Sequence, residues 1–93
     1  MTFTDSAIVD RLTEIFSTPH WTNIIDSLRP DDTLTIDISN QLWGDIFLEN
    51  EENFQELAKQ AVLIIKAQRL TGIDVKSVFK RLEIKLISDA EIR

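Results

Sequence analysis

Catalysis needs a nucleophile beside a base, a metal, or a carboxylate pair held in a pocket, and this chain is short of all three. Its 93 residues include one histidine, His20, and no cysteine. That removes disulfides and thiolate chemistry, and leaves no ordinary zinc ligand set. His20 stands in Thr18-Pro19-His20-Trp21 at a helix start, an unremarkable place for a partly exposed imidazole. The acids Asp31, Asp32, Asp37, Asp45, Glu49, Glu51 and Glu52 invite a search for a calcium loop. Asp37-x-Ser39-x-Gln41, however, has Leu42 where the loop needs glycine and Leu48 where it needs the closing glutamate. With Gly44 and Gly72 the only glycines, neither a phosphate cradle nor a dinucleotide fingerprint can be written. The chain reads as a non-enzyme, with no catalytic residue, metal site or cofactor.

What remains is surface chemistry. The net charge of −6 conceals a division: residues 1–56 carry 12 acids and two bases, and residues 57–93 carry eight bases and four acids. Lys76, Lys80, Arg81 and Lys85, with Lys66 and Arg69 nearby in sequence, are the candidate anion-facing set, and Lys76, Lys80 and Lys85 the candidate contacts for an acidic protein. The plain alternative is a solvated helix face. Nucleic acid is disfavoured as a ligand, because the overall negative charge repels phosphate and no aromatic interleaves the bases. In the acidic half, Trp43 with Asp45, Glu49, Glu51 and Glu52 could form an acid-rimmed interface, since tryptophan is enriched at binding hot spots. Its spacing with Ile46 and Phe47 is equally that of a core residue, as is Trp21 with Ile24 and Ile25.

The elements that would position these groups are mostly helices. Asn53 to Leu70 reads as a long central helix of roughly 18 residues and about 27 Å. Asn53 and Glu56 suggest a capping box, Lys66 and Arg69 suit the last turn, and Gly72 is a left-handed stop. Phe54, Leu57, Ala58, Ala61, Val62, Ile64 and Ile65 fall on one broad face and Leu63, Ala67 and Leu70 on a second stripe, so the helix should lie between two layers. Before it, Ile8, Val9, Leu12, Ile15 and Phe16 follow helical spacing, with Thr4 as cap and Phe3 against Ile8 as a staple. A second helix starts at Pro19 and runs through Trp21, Ile24, Ile25 and Leu28. Residues 33–38 alternate like a half-buried strand, and a short helix follows from Ser39, weakened by Gly44 by about 1 kcal/mol relative to alanine.

The last segment reads two ways. Val75, Val78, Phe79, Leu82 and Leu86 fit one helical stripe from an Asp74 cap, and this is the reading we adopt for 74–87; it would fold over Leu63, Ala67 and Leu70, but strands Ile84 and Ile87 among lysines. The alternation of residues 82–86 instead fits a strand paired with 33–38. Ser88 and Glu91 resemble the start of a further capping box.

The expected fold is therefore mainly α, a compact bundle of about five helices around helix 53–70 in one domain over 1–93, with an α+β alternative in which strands 33–38 and 82–87 pair. No run is long and apolar enough to cross a membrane and no secretory pattern opens the chain, which makes the cytoplasm the default location. The functional expectation is a non-catalytic protein-protein interaction module, an adaptor or regulatory subunit docking a larger protein through charged surfaces. The alternative is a small acidic inhibitor or nucleic-acid mimic acting on a nucleic-acid-handling enzyme.

Overall fold

A computed structural model describes residues 5–88. Within them the order is α1 (Asp5–Phe16), α2 (Pro19–Asp26), β1 (Thr33–Asp37), α3 (Gln41–Glu49), α4 (Phe54–Arg69), α5 (Val75–Val78) and β2 (Glu83–Ile87). The described chain is thus mostly helical, with five helices and a two-stranded sheet. Its radius of gyration of 13.2 Å is near the ~12 Å expected of a compact chain this long. The proposed staple of Phe3 and cap at Thr4, and Glu91 of the terminal capping box, lie outside the described residues.

The first four helices follow their apolar spacing. In α1, Ile8, Val9, Leu12 and Phe16 are buried and face α4. Pro19 opens α2, where its missing N–H costs nothing. Asn40, one residue after the expected start at Ser39, caps α3 by accepting from the Leu42 N–H at 2.9 Å. At the start of α4 the expected box does not form: Asn53 makes no side-chain cap bond. Instead its carbonyl accepts the Leu57 N–H and the Asn50 carbonyl accepts the Phe54 N–H, so the preceding turn serves as the lead-in. Gly72 does adopt a positive φ of 80°, beyond the Leu70 cap.

The end of the chain corrects the helical reading of 74–87. Asp74 caps α5 as expected, but that helix lasts one turn, because Phe79 leaves helical geometry at ψ 26°. Residues 83–87 then pair in parallel with 33–37, Thr33 opposite Glu83 and Asp37 opposite Ile87. The physical reason lies in Ile84. A helix would expose it beside Lys76 and Lys80, whereas the strand buries it on one face with Leu82 just before, while Glu83 and Lys85 point outward. Burying one such side chain is worth roughly 1.5–3 kcal/mol. Parallel strands need a crossover, here supplied by α3, α4 and α5. The inward residues Leu34, Ile36 and Ile84 join one core with the buried faces of α1, α3 and α4.

Candidate docking surfaces

Trp43 is 1% exposed, so the ring offers no surface to a partner, and of the two roles its spacing allowed it fills the core. It lies 5.2 Å from Phe16 and 5.2 Å from Trp21, with Phe54 at 6.4 Å, joining α1, α2, α3 and α4 through edge and tilted ring contacts of the favourable kind. The exposed apolar residues of α3 are Leu42 and Leu48 instead. Asp45 and Glu49, one turn apart, line a shallow hollow with Leu48 and with Arg11 of α1. Glu51 and Glu52 are exposed in the turn before α4.

The bases are dispersed. Lys76 is on α5; Lys80 and Arg81 follow it in a turn and border a hollow with Pro30, Asp31, Ser77 and Val78; Lys85 is on the outward face of β2 beside Thr35. Lys76 and Lys80 cannot form one helical stripe, because α5 ends at Val78. The Lys80 carbonyl accepts from Lys59 Nζ at 2.9 Å, tying that turn to α4.

A concavity lies along the outer side of α4. Glu56, Gln60, Leu63 and Ala67 recur at steps of four, three and four, one helix face, and with Ile64 they form one wall; Ile73, Asp74, Val75 and Lys76 form the other. This is the second apolar stripe read from the sequence, with Ile64 transferred to it from the broad face. The expected cover is missing, since the final segment leaves to become β2. Ile64 remains 39% and Ile73 48% exposed. On the rim, hydrogen bonds from the Ser77 hydroxyl at 2.8 Å and the Ser77 N–H at 3.4 Å hold the Asp74 carboxyl below its ordinary pKa.

Lys66 lies in the last turn of α4, as its position in the sequence suggests, but it does not join the exposed bases. It is 4% exposed, and its ammonium donates to the carbonyls of Leu28 at 3.0 Å and Asp26 at 3.5 Å. It also lies 5.0 Å from the centre of the Phe79 ring. A cation thus satisfies carbonyls at the C-terminal end of α2. Burial pushes its pKa down, opposed by Asp26 and Asp32 and reinforced by Arg69; Arg69 itself pairs with Asp26. The signal was available: Lys66 stands four residues after Val62, on the buried face.

His20 is exposed, in edge contact with Trp21. Among the described residues no three His, Cys, Asp or Glu side chains gather as a metal group, and no helix is long and apolar enough to cross a membrane. No protein-family model, curated protein or solved structure matches the chain.

Proposed function

We propose that the protein is a non-catalytic interaction module, an adaptor or regulatory subunit that docks a larger protein. The observation that supports this reading is the groove along α4, where Ile64 and Ile73 are exposed together between Glu56, Asp74 and Lys76. A groove bounded by a helix face suits an amphipathic helix from the partner. The stretch from Glu56 to Ala67 would hold about three turns of it. Glu56 and Asp74 on the rim call for basic residues flanking its apolar stripe, and Lys76 for one acid, so the charged surfaces steer and orient the partner while the isoleucines hold it.

The acidic-mimic reading has less behind it: Asp45 and Glu49 share their hollow with Arg11, which interrupts the array of negative charge that such a mimic needs.

The test is capture of a partner by the native chain and by Ile64→Asp/Ile73→Asp, with circular dichroism establishing that both are folded. The reading requires a larger protein that the native chain retains and the double variant loses. Equal retention by both, or retention of a nuclease or polymerase that depends on Asp45 and Glu49, would reject it.

A further inference from the structure

A sheet of two strands has two outer edges, and here they differ. The phase of the ladder is set at its ends, where the Glu83 N–H donates to the Asp32 carbonyl at 3.2 Å and the Ile38 N–H to the Ile87 carbonyl at 2.8 Å. Peptide groups alternate in direction along a parallel strand. Leu34 and Ile36 therefore turn theirs toward β2, while Thr33 and Thr35 turn theirs away. On β2 the outward residues are Ile84 and Leu86, and that edge lies against α4, with Gln55 Nε2 donating to the Ile84 carbonyl at 2.9 Å.

Among the described residues the β1 edge has no such cover. Among the described residues nothing hydrogen-bonds the outward N–H and C=O groups of Thr33 or Thr35, and both residues are exposed. The open stretch stops at Asp37, whose carbonyl accepts the Asn40 N–H at 3.2 Å. Two donors and two acceptors in one line, at the spacing of a strand, are the recognition element of strand addition.

We propose that the edge of β1 accepts a third strand from a partner protein, an extended segment with an uncharged, β-branched centre and Lys or Arg at its ends. The charges select this occupant. Asp31 and Asp32 precede the open stretch and Asp37 follows it, so carboxylates flank both ends of an added strand. A second copy of β1, laid antiparallel about Leu34, could make the same four hydrogen bonds. It would, however, set Asp37 of each copy against Asp31 of the other, and like charges directly opposite destabilise a pair. Lys80 and Arg81, which share a hollow with Asp31, offset part of the charge at that end. This surface is separate from the α4 groove, so the groove can fail its test and the edge still pass.

The experiment adds two blocked peptides, Lys-Val-Thr-Val-Thr-Val-Lys and its counterpart with glutamate at both ends, to the isotope-labelled full chain, and follows amide shifts and hydrogen exchange at Thr33 and Thr35. The basic peptide should produce saturable shifts and slowed exchange at these two amides. The acidic one should bind about tenfold more weakly, the effect of two cross-strand charge pairs. Thr35→Pro removes an outward donor without touching the ladder to β2, as edge strands tolerate, and should abolish binding. Independently of that variant's folding, Asp31→Lys should weaken the basic peptide and strengthen the acidic one. Unmoved Thr33 and Thr35 amides at about 1 mM peptide, or equal binding of the two peptides, would overturn the proposal. Protection of the same amides by self-association of the chain alone would give the edge to a second copy and overturn it equally.

Discussion

Along α4, Leu57, Ala61 and Ile65 are buried in the core that this helix shares with α1 and the sheet, while Leu63, Ile64 and Ala67 of the same helix border an open groove. The residues are of similar type, so hydropathy does not explain the difference. What differs is the neighbour. The buried side meets a three-turn helix running alongside it, whereas the outer side meets α5, a single turn, and then loses the chain to β2. An apolar stripe states a need for cover, and only the topology decides whether the same chain supplies it.

Ile64 and Ile65 turn that comparison into an experiment, because adjacent residues of one type should respond oppositely to one substitution. Ile65→Asp puts a carboxylate into the core without a partner, a loss of several kcal/mol against a total of roughly 5–10 kcal/mol, and urea unfolding should lose its cooperative transition. Next in size is Ile84→Lys, which strands a charge on the inward face of β2 and should cost several kcal/mol by the same measurement; a change below about 1 kcal/mol would restore the helical reading of 74–87.

Lys66→Met tests the polar corner of the buried side. The variant removes the donor to the Asp26 and Leu28 carbonyls but also the buried charge, so its net cost should be about 1–2 kcal/mol at neutral pH. The pH dependence separates these terms. Because folding lowers the Lys66 pKa, the native chain holds fewer protons there than the unfolded chain between the lowered value and the ordinary ~10.4, and this residue's contribution makes stability rise with pH across that window. Thermal unfolding at stepped pH should show that increment in the native chain and not in the variant. The smallest effect is Ile64→Asp, expected to change stability by less than about 1 kcal/mol. A loss as large as that of Ile65→Asp would mean that the groove is closed in solution and erase the contrast between the faces.

Much of the helical framework was legible because α1, α2 and α4 each carry a stripe that only one period fits. Residues 82–87 were harder. Val75, Val78, Phe79 and Leu82 satisfy a helix, Leu82, Ile84 and Leu86 satisfy a strand, and the shared residues left the choice to Ile84 and Ile87. Their exposure in the helical reading was the decisive objection, and it was outweighed by the Asp74 cap, which is real but serves only one turn. The groove could not be read, since it exists because the chain leaves the outer side of α4 after α5 and forms β2 against another side of the same helix. Lys66 is obscured by its charge: an apolar stripe is traced through apolar residues alone, and a lysine four residues after Val62 on the buried face is left out of it. Spacing likewise left Trp43 open between core and interface, because a ring at i−3 to Ile46 meets either need.

The parallel pairing of β1 with β2 also has a consequence in time. About 45 residues lie between the two strands, and closing a loop of that length costs about 3 kcal/mol of chain entropy before any strand contact repays it. Helical turns form from near neighbours in microseconds, but Leu34 and Ile36 have no β partner until α3, α4 and α5 have brought Glu83–Ile87 across. Until then β2 covers neither edge of β1. The topology thus leads us to expect the sheet to close late in folding, and the interval before it closes is when such a chain is most exposed to pairing with the wrong strand.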